Sequence, residues 1–211
     1  KIIVFSGSRA DYGILKPLIQ SLKKDKYFIT KLFLGSHHLN IKFGFTKREI
    51  IKDRVKIDKI LRIKQKDSSL DSLINFASKS LNHYFKYIKK EKPDMLIVLG
   101  DRYEVFLLSF CSYLMGLKIC HLHGGEITNG SFDEGLRHSI SKFSNLHFVI
   151  HKKYRDRLIN LGENPNFVFN FGSLSVSQIM QKKNYISKKE LFKRYKIPSN
   201  KKIILITVHS E

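Results

Sequence analysis

The chain is short of acid, of cysteine and of long apolar runs. Its 211 residues hold 18 Asp and Glu against 39 Lys and Arg, a formal net charge of +21. Two cysteines, Cys111 and Cys120, both in apolar surroundings, exclude a disulfide-stapled scaffold and read as buried free thiols of a reducing compartment. No apolar run approaches the roughly 18 residues of a membrane span, which excludes a helical membrane protein. Lys1–Phe5 is too short an apolar run for a signal peptide and leads into a Gly-bearing loop, so a cytoplasmic location is expected. There is no internal repeat and no low-complexity tract. His37 and His38 are adjacent, point in different directions and have no further Cys or His at ligand spacing nearby, so no metal site is expected.

What the chain has in excess is positive charge, and that raises nucleic-acid or membrane-surface binding as a class. The distribution of the lysines argues against it. They occur in pairs along the whole chain (Lys23-Lys24, Lys89-Lys90, Lys152-Lys153, Lys182-Lys183, Lys188-Lys189, Lys201-Lys202), form no single block and accompany no nucleic-acid motif. They read as solvated helix faces that lend positive potential to an anionic substrate.

With 42% hydrophobic residues the chain can bury a core. Apolar strands are predicted at 2–5, 28–34, 57–63, 95–99, 118–122, 146–150 and 168–171. Helix-period segments fall between them, at 12–24, 47–52, 70–90, 105–115, 132–143 and 153–161. This βα rhythm with continuous apolar strands predicts an α/β fold, a Rossmann-like parallel sheet with helices on both faces. Ligands of such sheets bind beyond the carboxyl ends of the strands. After Gly172 the pattern changes: helices at 173–183 and 188–195, then an apolar strand at 202–208. The expected division is a Rossmann-like domain over 1–172, with 173–211 as linker helices and the first strand of a second domain.

The polar clusters sit at the expected strand ends. In the 6–11 loop, Ser6, Gly7 and Ser8 offer backbone N–H groups to a phosphate and Arg9 a cation. The alternative is a tight turn with Asp11 as N-cap. In Gly100-Asp101-Arg102-Tyr103-Glu104, Asp101 is either an N-cap or a general acid or base facing the next strand's end. That next cluster is the densest: His121, His123, Glu126, Asp133, Glu134, Arg137 and His138 lie within 18 positions around Gly124-Gly125. Acids at 133 and 134 suit a helix N-terminus, and Asp133 and Arg137 are spaced for an i,i+4 pair. One of His37 and His38 is expected to hydrogen-bond a substrate.

GSRADYG, GSHHLNIKFGFT, LGDRYE, HLHGGEITNGSFDEGLRHSISKFSNLHF and the late YRDRLINLGE together resemble the hydrolysing UDP-N-acetylglucosamine 2-epimerases of sialic- and nonulosonic-acid pathways. The resemblance implies a two-domain fold like that of the GT-B glycosyltransferases, with the site in the cleft between domains. It implies a UDP-2-acetamido sugar as substrate, either UDP-GlcNAc or its 2,4-diacetamido-2,4,6-trideoxy analogue. The reaction would be C2 deprotonation, loss of UDP and water addition, with no NAD, no metal and no other cofactor. It also implies a homodimer.

Carried over by motif, Asp101 and Asp133 match the family's catalytic aspartates, Arg9 the arginine near the diphosphate, and His209 a histidine on the substrate side of the cleft. Asp11, His38, Arg102, Arg137 and His138 complete the expected substrate contacts. His123 stands where some members have Glu, which leaves the remaining acid/base role to His123, to Glu126, or to Asp101 with Asp133. The family binds uridine largely through its second domain, so a chain ending at Glu211 is expected to lack most nucleotide affinity and turnover. The competing readings are a non-hydrolysing epimerase, a GT-B glycosyltransferase and a non-enzymatic basic binding module.

Overall fold

The computed structural model describes residues 1–41, 44–63, 66–67, 69–181, 185–198 and 200–207. Seven parallel strands form one sheet in the order β3-β2-β1-β4-β5-β6-β7. They are β1 (Ile2–Ser6), β2 (Thr30–Leu34), β3 (Lys59–Ile60), β4 (Met95–Leu99), β5 (Lys118–Leu122), β6 (Leu146–Val149) and β7 (Val168–Asn170). The helices are α1 (Arg9–Lys24), α2 (Lys47–Lys52), α3 (Leu70–Glu91), α4 (Tyr103–Leu114), α5 (Phe132–Phe143), α6 (Lys152–Asn160), α7 (Leu174–Gln181) and α8 (Lys188–Arg194).

The central strands are unbroken apolar runs because both faces are covered, and the period of two assigns each residue to a face. Ile3 and Phe5 of β1 join Leu96, Val98 and Ile119 beneath α3, α4 and α5, which contribute Tyr84, Ile88, Val105, Leu108 and Ile140. Ile2 and Val4 point the other way, with Leu32, Leu34, Ile97 and Leu99, against Tyr12, Leu15 and Ile19 of α1. The chain leaving β1 therefore crosses to one face and the chain leaving β4 to the other. These two strands are neighbours, so their departing loops diverge and open a crevice at the carboxyl edge.

Two expected strands differ. The 57–63 segment contributes only Lys59–Ile60, because its partner β2 ends at Leu34, where Gly35 turns back with its N–H on Ser6. The 202–208 strand is unpaired over its described residues, and Ile204, Leu205 and Ile206 are 84, 90 and 77% exposed. An apolar strand needs a neighbour to satisfy its backbone, and among the described residues none lies beside this one. α7 instead folds back on α1, where the Gln178 amide donates to the Gly13 carbonyl at 2.7 Å. Among the described residues no helix is long and apolar enough to cross a membrane.

Candidate active site

Three loops from neighbouring strands meet at the crevice. The first follows β1. Here α1 begins at Arg9 with Ser8 in the N-cap position, three residues earlier than the pattern suggested. Asp11 is therefore not the cap. Its Oδ2 accepts the N–H groups of Gly7 and Ser8, both at 2.8 Å, so the loop's amides are occupied by a carboxylate of the chain itself. Burial raises the Asp11 carboxyl, opposed in part by the charge of Arg102. Arg9 stays at the rim: its side chain is 66% exposed and pairs with Glu49 at 3.3 Å.

The loop after β2 packs closely on the first. A Cβ at Gly35 would lie 2.9 Å from the Gly7 carbonyl oxygen, so only glycine lets the two backbones approach. His38 lies wholly buried beneath this contact, its Nε2 3.0 Å from Ser6 Oγ, and burial pushes it down to about 4. The structure thus assigns it a place under the loop rather than on the open crevice. His37 is the outward member of the pair: its Nδ1 accepts from Arg102 at 3.0 Å.

The third loop follows β4. Gly100 turns at φ +74°, and α4 opens at Tyr103 with Arg102 in the cap position. Asp101 is consequently no cap either. Its Oδ2 receives the guanidinium of Arg137 from α5, a pair nearly buried on the arginine side. Arg137 also donates to Thr128 Oγ1 at 3.2 Å. The expected i,i+4 pair of Asp133 with Arg137 is replaced by this longer-range one, because Arg137 lies on the face of α5 that looks at β4. Arg102 donates from Nε to the buried Glu104 at 2.7 Å. Burial opposes its charge, but Glu104, Asp11 and Asp133 together hold its pKa above the usual value.

β5 runs beside β4 with Leu99 opposite Leu122, which sets Gly100-Asp101 alongside His123-Gly124. His123 adopts φ +63°, a left-handed conformation costly for a non-glycine residue. It is held there by its N–H on the Phe148 carbonyl at 3.0 Å. Its Nδ1 lies 3.3 Å from Glu126 Oε1. Nε2 is buried with no hydrogen-bond partner among the described residues, an unmet polar atom at the site. Gly125 (φ +78°) is where α6 approaches: a Cβ would sit 2.6 Å from the Tyr154 carbonyl oxygen. Ser131 caps α5 through Asp133 N at 3.2 Å. Glu134 ties the loop to the helix, accepting from Thr128 N at 3.1 Å with His138 Nε2 3.8 Å away. Asp133 itself is exposed.

The structure thus brings Asp101 to Arg137, His123 to Glu126, and Arg102 within the field of Asp11 and Asp133. It keeps Arg9 at the rim and His38 below the surface, and His209 lies outside the described residues. Sequence reasoning did not single out Ser141 or His147, whose partners His121 and Glu163 are distant in the chain. Among the described residues no group of three or more His, Cys, Asp or Glu is disposed to hold a metal ion.

Comparison with known proteins places this arrangement. A hydrolysing GDP/UDP-N,N'-diacetylbacillosamine 2-epimerase of Campylobacter jejuni is 38% identical over 209 residues, covering 99% of this chain and 54% of that protein. A hydrolysing UDP-N,N'-diacetylbacillosamine 2-epimerase of Legionella pneumophila is 32% identical over 210 residues, covering 99% and 55%. The chain therefore spans about half the length of these relatives. A solved UDP-GlcNAc 2-epimerase of Neisseria meningitidis, bound to UDP-GlcNAc, shares the fold at TM-score 0.75 and 19% identity, over 93% of this chain and 51% of that one. The sequence model described as UDP-N-acetylglucosamine 2-epimerase matches residues 20–211, and the chain belongs to that family.

Proposed function

We propose that this chain is the proton-transfer half of a hydrolysing 2-epimerase acting on a UDP-2-acetamido sugar. The names of the Campylobacter and Legionella relatives favour the 2,4-diacetamido-2,4,6-trideoxy sugar over UDP-GlcNAc. The observation that carries the reading is Asp101. It stands at the crevice between β1 and β4, excused from capping α4 and oriented by Arg137.

The reaction needs a base, because the C2–H of a sugar is weakly acidic. A carboxylate takes that proton, the C–H electron pair forms a C1=C2 double bond, and UDP leaves from C1 with the bonding pair. Water then adds: hydroxide to C1 and a proton to C2 from the opposite face. The products are UDP and the free manno-configured sugar. Two faces require two proton carriers, and the candidates are Asp101, Asp133 and the His123–Glu126 pair. The departing diphosphate needs cations. Of the three guanidiniums considered, Arg9 is the most exposed, whereas Arg102 and Arg137 are already engaged by Glu104 and Asp101. Asp11, His38 and His138 support these loops, and His209 would face the sugar from a second domain beginning after Gly172. A homodimer belongs to the same proposal.

The test is product analysis with the whole protein in deuterated water. Free manno sugar labelled at C2, together with UDP, is expected, and Asp101→Asn lowers UDP release by at least about 10²-fold. Intact UDP-manno sugar as product would overturn hydrolysis, and wild-type rates in both Asp101→Asn and Asp133→Asn would overturn the site.

A further inference from the structure

We propose that His121 is a positioning residue that fixes Asp101 for proton transfer by closing a ring of contacts between β4 and α5. The inference rests on the reading of Asp101 as a proton carrier. His121 lies in β5 and is fully buried. Its Nε2 is 2.7 Å from the Gly100 carbonyl. That oxygen only accepts, so Nε2 carries the proton, and in the neutral ring Nδ1 is an acceptor. Nδ1 lies 3.0 Å from Ser141 Oγ, whose hydroxyl donates to it. With that hydroxyl proton spent on Nδ1, the Arg137 carbonyl 3.1 Å from Oγ is not its partner in this state; Ser141 is tied to Arg137, one turn earlier, by the backbone of α5, and the Arg137 guanidinium holds Asp101. The circuit runs His121, Gly100, Asp101, Arg137, Ser141 and back to His121.

Each link is specific. Gly100 immediately precedes Asp101, so its carbonyl fixes the plane of the peptide that carries the carboxylate's backbone. Ser141 stands one turn beyond Arg137 on α5, so its hydroxyl fixes the height of the helix that presents Arg137. A Cβ at Gly124 would come within 3.0 Å of both His121 Nδ1 and Ser141 Oγ, and the glycine leaves the pair its room. Burial, opposed by the bond to Gly100 and reinforced by the charges of His147, His123 and His138, pushes His121 down to about 3. The ring therefore stays neutral at working pH and keeps one hydrogen-bond direction. Ser141 has a single proton, and protonating His121 would turn that proton from Nδ1 to the Arg137 carbonyl.

The experiment compares His121→Gln, His121→Asn, His121→Phe and Ser141→Ala in the whole protein. Gln retains a donor where Nε2 stood, Asn retains only a group near Nδ1, and Phe retains neither. With UDP release as readout, kcat in His121→Phe falls by on the order of 10²-fold while KM stays within about twofold, since a misplaced catalytic group costs rate rather than binding. His121→Gln recovers most of the rate, His121→Asn little, and the acid limb of the kcat profile moves in His121→Phe. Wild-type kcat and pH profile in a folded His121→Phe overturn the proposal. If that variant does not fold, Ser141→Ala decides on the same two readouts. If the wild-type protein releases no UDP, it is the functional reading that fails. Amide hydrogen exchange of residues 99–104 then tests the ring alone: faster exchange in Ser141→Ala sustains the linkage, and unchanged exchange overturns it.

Discussion

Lowering the pH from about 7.5 to 5 is expected to remove about 4 kcal/mol of folding stability. The cause lies in His38 and His121, both with no exposed surface. Burial pushes them down to about 4 and about 3, against an ordinary value of about 6.5. In the unfolded chain both protonate as the pH falls through about 6.5, while in the folded chain both remain neutral until the lower values. The unfolded state thus binds more protons in that window, and stability falls with falling pH. Each unit below 6.5 costs about 1.4 kcal/mol per histidine, or about 2 kcal/mol each at pH 5. His147, lowered by burial against the pull of Glu163, acts in the same direction. Asp11 has the opposite sign, because burial raises its carboxyl. Against a typical total of about 5–15 kcal/mol the histidine contribution is large.

The assay is urea unfolding followed by far-ultraviolet circular dichroism at three pH values. With a urea slope of about 2 kcal/mol per molar, the midpoint drops by about 2 M across the range. His38→Gln removes one titrating group and keeps an amide near Ser6 Oγ, so the drop should shrink by about half. A midpoint that moves by less than about 0.5 M, or a His38→Gln slope equal to wild type, refutes the assignment of these two rings as buried and neutral.

Three further perturbations test the site's framework. Arg137→Met leaves the Asp101 carboxylate partly buried and unpaired, for an expected loss of about 2–3 kcal/mol, or roughly 1 M in urea midpoint. The pair is mere decoration if the midpoint holds. Gly125→Ala forces a Cβ to 2.6 Å from the Tyr154 carbonyl at φ +78°, and about 2 kcal/mol or more is lost as α6 shifts; an unchanged melting temperature would contradict the close approach. Ser131→Ala removes the cap of α5, at a cost of about 1 kcal/mol and a fall of roughly 2–4 °C by calorimetry.

The sheet was legible because a strand buried on both faces leaves a continuous apolar run, and β4, β5 and α5 fall where the pattern puts them. β3 was not, because an edge strand's length is set by its partner β2 and not by its own hydrophobicity. The unpaired 202–207 segment fails for the same reason. At the site, residue types at the strand ends were readable, but not where their atoms are spent. Asp11 reads as a cap or a ligand contact and is consumed by the amides of Gly7 and Ser8. His38 reads as a substrate contact and is buried on Ser6. Asp133 and Arg137 read as a helical pair, yet Arg137 reaches Asp101, 36 residues away. Spacing rules see neighbours along one element, and these choices are made between elements.

The charge distribution follows the same division between long and short range. Six of the chain's 18 acids (Asp11, Asp101, Glu104, Glu126, Asp133 and Glu134) fall in the loops and first helical turns at the sheet's carboxyl edge, although the chain as a whole carries +21. For the dianionic nucleotide sugar proposed as substrate, this arrangement is not self-defeating. The field of the net +21 charge, screened over a Debye length of about 8–10 Å, would draw such an anion in. Within the crevice the acids are locally compensated: Asp101 by Arg137, and Glu104 by Arg102. A carboxylate so held presents an acceptor for a C–H proton without presenting net negative charge to the diphosphate. The guanidiniums thus serve the carboxylates first. On the proposed function, the cation best placed for UDP among the described residues is therefore Arg9 at the rim, whose partner is the half-exposed Glu49 that an incoming phosphate can displace.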